Sequence, residues 1–377
     1  MRGAPLMIAC VGTLACAGST AAQTDQPPPI QYGGFVDIGR LFSSTSPSNH
    51  LFRNRGTTPR LDKWDVNMTA AYVKKAPSET SRVGVEATVQ EGKDSELFGF
   101  SATAPNIGGA DWLLHLGPTN LSYLAPVGKG LTLQGGIFSS LIGYDGLYAK
   151  DNVTYTRPWG ADYTPYLMLG VNAAYPVTPK LTLTVMLVNG YWHLANANSV
   201  PSPGAQLAYK PSDSVTLKHT VLYGPHQPET SLEFWRIFSD TIVERKTARF
   251  TTAFEYQLGT ERVDDGAQTR AYWMSAQVPV HWTVTGPFSA TIRPEIAWDS
   301  DGRWTTAAQT VKAVTATLEY RALFRGAQAI VRSEYRVDDS RDDGSAGFFA
   351  GADNHLVPTQ HLLGIALILM FDGTIKR

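Results

Sequence analysis

The sequence predicts an all-β membrane protein. The expected fold is a transmembrane antiparallel up-and-down β-barrel of about sixteen strands, with short periplasmic turns and long external loops. Three observations predict it. Apolar residues recur at every second position in segment after segment, the period of a strand whose two faces meet different surroundings. The connections between segments alternate, long then short, from the first to the last. After the N-terminal segment, no apolar run approaches the ~18 residues a membrane helix needs. The longest, Leu362–Phe371, has the length of a tilted strand crossing.

Composition agrees. Lys plus Arg number 32 and Asp plus Glu 33, so no charge bias points to nucleic acid. Charged residues are 17%, below the ~25% of ordinary soluble domains, and aromatics are 11%. Arg2, the apolar Leu6–Ala17 and the small residues Gly18–Ala22 read as a signal peptide over 1–22, cleaved after Ala21 or Ala22. Both cysteines, Cys10 and Cys16, fall inside it, so the mature chain carries no thiol. A proline-rich leader, 23–30, precedes a barrel over 31–371, and 372–377 forms a C-terminal tail.

The repeating unit is clearest in Tyr166–Gly190. Leu167, Leu169, Val171, Ala173 and Tyr175 share one parity against Met168, Gly170, Asn172 and Ala174. Pro176–Lys180 is turn chemistry, because proline fixes φ and cannot donate to a ladder. Leu181, Leu183, Val185 and Leu187 then oppose Thr182 and Thr184.

The other elements follow in order. Gln31–Phe42 is the first strand, and a polar, Arg-rich loop runs to Lys63. In Asp65–Val73 the greasy parity is Val66, Met68, Ala70 and Tyr72. The turn Lys75–Ser81 leads to Arg82–Gln90, and a Gly-rich loop to the strand ending at Ala125. Pro126–Gly130 turns into the strand from Leu131, and Ser139–Pro165 is the longest connection. Paired strands then flank turns at Lys210–Ser214, Glu244–Lys246, His281–Pro287 and Arg321–Gly326. An acidic loop, Asp338–Pro358, precedes the last strand, Gln360–Phe371.

A soluble sandwich has no reason to sort its connections by length, and no propeller repeat of about 40–45 residues is visible. Tyr72, Tyr123, Tyr175, Tyr209, Tyr256, Trp282, Trp298, Tyr320, Tyr335 and Phe371 lie at or near strand ends. Interfacial girdles put aromatics there. If the greasy parity faces lipid, the polar parity lines a water-filled lumen.

The stretches LSYLAPVGKGLTLQGGIF, YAKDNVTYTR, AAYPVTPKLTLTVMLVNGY, AQLAYKPSDSVTL and ATLEYRA resemble the OmpL-like β-barrel porin family. The resemblance runs from about Gly33 to Phe371 and is strongest between Leu121 and Leu222. It implies an outer-membrane barrel that passes small solutes, and it implies architecture better than cargo. Such barrels commonly end on an aromatic residue read by the barrel assembly machinery. Here Asp372–Arg377 follow Phe371.

The polar parity supplies a candidate pore lining: Arg82, Glu86, Lys218, Asp240, Arg249, Glu255, Arg293, Glu295, Thr315, Thr317, Glu319, Arg332, Glu334 and Arg336. These groups either orient ions by their field or pair across strands as structural ladders. In general porins the third external loop narrows the pore, and Ser139–Pro165 is the third long connection. Asp145, Tyr148, Lys150, Asp151, Tyr155 and Arg157 are its candidate constriction residues, with Tyr144 and Trp159 as a rim. The alternative is a loop that merely covers the mouth.

No H-E-x-x-H pair or Gly-rich phosphate loop occurs. His219, on the greasy parity, is weighed as a barrel-lipase residue and set aside. Asp338-Asp339 and Asp342-Asp343 have calcium-ligand chemistry but read as a solvated loop tip. The expectation is therefore a porin for passive diffusion of small hydrophilic solutes, needing no cofactor, catalytic residue or metal. Its partners would be outer-membrane lipid, the assembly machinery and, by analogy, two further copies in a homotrimer. The alternatives are a closed structural or adhesive barrel whose loops bind a partner, and a barrel enzyme.

Overall fold

The computed structural model describes residues 28–375, apart from 98–108, 192–193, 196–197, 199, 228–231, 264–268, 325, 343–346 and 354. The expected signal peptide and most of the leader lie outside the described residues.

The described strands form one closed antiparallel barrel of sixteen crossings. In order they are β1 Ile30–Ser43, β2 Asp65–Lys75, β3 Val83–Glu91, β4 Thr119–Ala125, β5 Leu131–Ser139, β6 Leu167–Thr178, β7 Leu181–Val188 and β8 Ser202–Ser212. Then come β9 Val215–Pro225, β10 Trp235–Lys246, β11 Phe250–Arg262, β12 Arg270–Gln277, β13 Val280–Thr285, β14 Phe288–Asp299, β15 Gln309–Phe324 and β16 Ala327–Asp342. β17 Phe349–Ala350 and β18 Leu356–Val357 form a small loop hairpin, and β19 Thr359–Ile375 closes the barrel against β1.

β12 and β13 are one crossing in two pieces. The sequence places a turn at His281–Pro287. In fact Pro279, which has no N–H to give, interrupts the ladder, and pairing resumes from Val280 with β11 and β14. The turn itself is only 286–287.

Long loops gather at one end of the barrel: L1 (44–64), L2 (92–118) with the helix α1 Lys93–Leu97, L3 (140–166) and, last, L8 (343–358). Short turns such as 179–180, 213–214 and 247–249 gather at the other.

The outer face is apolar and open. Leu121 is 64% exposed, Val171 55%, Leu318 65% and Phe324 63%. Side chains of this kind all round the wall would aggregate in water, so the belt requires lipid. Tyr123, Tyr209, Trp298, Tyr320, Tyr335 and Phe371 are exposed on the same surface.

Four sequence expectations need correction. The greasy parity of β2 faces inward, not to lipid. A β-bulge opposite Asp37/Ile38 inserts Asn67, so Val66 stays outside while Asn67, Met68 and Ala70 are all buried within. Tyr72 consequently leaves the girdle and donates to the Asp372 carboxylate. Second, the last strand does not stop at Phe371. Asp372, Gly373, Thr374 and Ile375 pair with Gly33, Tyr32, Gln31 and Ile30, so the supposed tail closes the seam.

Third, the inner wall is not uniformly wet. Phe35, Leu41, Met68, Ile330, Leu362, Ala366 and Ile368 are buried inside the barrel and share one apolar cluster with L3 residues Leu147, Tyr155 and Trp159. Phe52 of L1 and Phe348 and Phe349 of L8 join it. Fourth, Asp338 and Asp339 belong to β16, not to a loop tip. Asp338 is fully buried and accepts from Arg336 Nε, Trp159 Nε1 and Gln360 Nε2, at 2.8, 2.8 and 3.0 Å.

Candidate functional site: a loop bound inside the barrel

L3 leaves β5 at Ser140 and crosses the lumen. Its course is set by polar wall side chains that meet its backbone. Leu141 O accepts from Gln206 Nε2 on β8 (2.7 Å) and Thr220 Oγ1 on β9 (2.9 Å). Gly143 N donates to Asp240 on β10 (2.8 Å) and Tyr144 N to Glu255 on β11 (2.7 Å). Asp145 accepts from Gln277 on β12 (2.7 Å). Tyr148 OH donates to Gln90 on β3 (2.8 Å), and its ring meets Phe35 edge-on at 5.0 Å.

The far side carries the strongest attachments. Arg332 on β16 donates to Ala149 O (2.7 Å), Asn152 O (2.5 Å) and Thr154 O (3.1 Å). Arg293 on β14 donates to Thr154 Oγ1 and to Thr156 O (2.8 Å). Glu334 accepts from the backbone N–H of Tyr155 (2.6 Å) and Thr156 (2.9 Å). Glu295 accepts from Trp159 N (2.5 Å), and Arg336 donates to Arg157 O (3.0 Å). Tyr155 OH reaches Asp37 on β1 (3.1 Å) and accepts from Asn67 on β2 (2.5 Å). Gly39 makes that approach possible, since a Cβ there would collide with the Tyr155 hydroxyl.

Charge balance holds this wall together. Arg336 pairs with Glu295 and Asp338, both at 2.8 Å, and Arg332 pairs with Glu319 at 2.8 Å. Arg293, Arg332 and Arg336 are 0 to 1% exposed. Buried charges of this kind persist only when paired and hydrogen-bonded.

L1 and L2 lock L3 from outside. Arg55 pairs with Asp162 at 2.7 Å and stacks over Trp159 at 4.6 Å. Arg157 lies 3.6 Å from Asp94 of α1 and donates to Tyr155 O (3.1 Å) and Leu147 O. Burial pushes the Asp94 carboxyl up to about 6, with Arg157 and the Thr58 amide pulling the other way. Burial also raises Asp145 and Asp162, against Arg293 and Arg55 respectively.

The expected site residues fall into four groups. Glu255, Arg293, Glu295, Glu319, Arg332, Glu334 and Arg336, with Asp145, Tyr148, Tyr155 and Arg157, meet at the buried loop–wall contact. Lys150 and Asp151 pair with each other at 2.7 Å at its edge. Glu86 and Lys218 line the inner wall half-buried, apart from L3. Arg82 and Arg249 do not belong to the central wall. Arg82 precedes β3 and donates to Leu124 O (3.1 Å), and Arg249 lies exposed in the turn 247–249.

Sequence reasoning missed Asp37, Asn67, Gln90, Asp94, Gln277 and Asp338. Their inward parity on strands was the available signal for Gln90 and Gln277. Asp37 and Asn67 carried the same signal, since each stands on the polar parity of its strand and the bulge reverses parity only beyond Asn67, and nothing local marks Asp94. His219, on the outer face, shares a hydrogen bond with Thr241 Oγ1 (2.9 Å).

A closed sixteen-stranded antiparallel barrel, with an apolar belt outside and a loop bound in its lumen, defines a porin-like outer-membrane barrel. The family model described as "Putative beta-barrel porin-2, OmpL-like" matches residues 29–371. The chain belongs to that family.

A comparison with curated proteins finds no match. Among solved structures, the outer membrane channel DcaP of Acinetobacter baumannii aligns with a TM-score of 0.57 at 10% identity, covering 91% of this chain and 97% of that one. The anion-selective porin from Comamonas acidovorans aligns at 0.56 and 8% identity, covering 91% and 99%. The trimer form of OmpT from Vibrio cholerae aligns at 0.56 and 10%, covering 91% and 99%. At such identities these matches establish the fold.

Proposed function

We propose that this barrel is an outer-membrane porin through which small hydrophilic solutes diffuse, with L3 as the constriction. The observation that carries this reading is the attachment of L3 across the lumen by wall side chains. The partners named above lie on β1–β3, β8–β12, β14 and β16. The arc β4–β7 carries instead partly solvent-accessible, uncharged polar groups, including Thr132, Gln134 and Thr182. Permeation follows that arc. Ion selectivity is weak, because the buried arginines are matched by carboxylates and act little on a passing ion.

In this reading the signal peptide is cleaved, the assembly machinery inserts the barrel, and three copies associate, as in the trimer form of OmpT. Migration of unheated samples on gels tests the trimer. Deleting Gly146–Tyr155 should raise single-channel conductance in a planar bilayer. Unchanged conductance would count against L3 as the constriction.

A second reading is a closed barrel that serves through its external loops. The close apolar packing of L1, L3 and L8 around Trp159 favours it. Liposome swelling separates the two: a porin admits sugars, a closed barrel does not.

A further inference from the structure

We propose that a rail of side-chain amides on β4, β5 and β6 is the solute-contacting surface of the lumen, and that it takes uncharged, hydroxyl-rich solutes, the chemistry of small saccharides. This rests on the channel reading above and names its substrate class.

The inner wall sorts its polar groups by arc. From β10 round to β16, carboxylates and guanidiniums are consumed in holding L3 and one another. Across β4–β6 the wall carries neutral amides joined in one directed chain, in which Gln134 is partly exposed to the lumen while Asn120 and Asn172, 7% and 9% exposed, flank and hold it. Asn172 Nδ2 donates to Gln134 Oε1 at 2.8 Å. Gln134 Nε2 donates to Asn120 Oδ1 at 2.9 Å. Asn120 Nδ2 donates to Ile137 O at 2.9 Å and, at 3.3 Å, to the half-buried Glu86 carboxylate on β3. Gly136 opposite Asn120 makes room, since a Cβ there would press on Asn120 itself.

The chain has two consequences. Each amide's rotamer is set by its neighbours, so the array is ordered before any solute arrives and little entropy is lost on contact. A primary amide also offers two N–H donors and two acceptor lone pairs, and the chain uses only part of them at Gln134 and Asn172. Fixed, alternating, uncharged donors and acceptors match a hydroxyl, which both donates and accepts. They supply no field to draw an ion. Thr132 and Thr182 on the same inner surface extend the hydroxyl-compatible strip. Among the described residues, charge enters this strip only at its borders, from Glu86 and, further round, Lys218.

The test uses the full-length barrel in planar bilayers and liposomes, with KCl and glucose as probes. Gln134→Leu replaces a rail amide with an apolar side chain of similar size, and Asn172→Ala removes the rail's end without adding bulk. Heat-modifiable gel migration reports folding of each variant. In the folded variants glucose swelling rate, divided by KCl conductance, should fall roughly fivefold, the loss of about one net hydrogen bond. Lys218→Gln should shift the reversal potential in a salt gradient without a fivefold fall in the glucose swelling rate. Glucose and KCl falling together, or neither changing in both rail variants, would overturn the rail while leaving the channel reading intact. A wild-type barrel passing neither probe would overturn the channel reading and the rail with it.

Discussion

Replacing Glu334 by alanine should release L3 from the wall. This carboxylate is 2% exposed and accepts four hydrogen bonds: Tyr155 N at 2.6 Å, Thr156 N at 2.9 Å, Thr156 Oγ1 at 2.5 Å and Thr317 Oγ1 at 2.7 Å. A hydrogen bond to a charged group contributes about 1.5–3 kcal/mol, and such bonds do not add when they share an acceptor. Removing one member of a buried, charge-bearing network costs about 3–5 kcal/mol, because the remaining members stay buried and unpaired. Here those are the Tyr155 and Thr156 amides. At about 1.4 kcal/mol per tenfold, even the lower figure shifts the ratio of held to released loop by roughly a hundredfold. Arg293, Arg332 and Glu295 still bind neighbouring loop segments, so the release should be local and reversible. Single-channel recording of Glu334→Ala should therefore show a larger and more fluctuating conductance. Glu334→Gln should fall between, since its amide retains one acceptor oxygen but sets an NH2 against backbone N–H donors. A folded Glu334→Ala barrel with wild-type conductance and dwell times would refute the argument that this carboxylate holds the loop.

Two further substitutions probe other contacts of the same loop. Gly39→Ala puts a Cβ into the Tyr155 hydroxyl, so the Asp37 and Asn67 bonds to that hydroxyl should break; overpacking of this kind costs about 1–3 kcal/mol, and a drop in the heat-modification temperature on gels would record it. Burial holds the Asp94 carboxyl at about 6 in place of 3.8, so packing L2 with Asp94 buried is favoured when it is protonated; that contribution is complete below about pH 4 and is lost as pH rises through 6, with the Arg157 pairing offsetting part of the loss. Loop-driven current fluctuations should then be more frequent at pH 8 than at pH 5, and Asp94→Asn should remove the difference. The same pH response in Asp94→Asn would assign the titration to another group.

Legibility differed between wall and loop for a physical reason. Strand alternation is local, so Leu181–Leu187 against Thr182 and Thr184 could be read residue by residue, and the register in the barrel agrees with it. The β2 reading failed because one extra residue, Asn67, reverses which parity points inward. A bulge has no signature in an alternation that continues on both sides of it.

The chain by itself determined the class of fold, the strand order, the segregation of short turns from long loops, and the membrane-facing side of most strands. All follow from a period of two and from turn residues, which act over a few positions. The tertiary structure alone decided what occupies the lumen. Tyr155 meets Glu334 across 179 residues of sequence, Gly143 meets Asp240 across 97, and Arg157 meets Asp94 of another loop. Only closure of the barrel brings these groups within hydrogen-bond reach. Dehydration then makes their pairing obligatory, and it turns charges that read as a wet pore lining into the mooring of a loop.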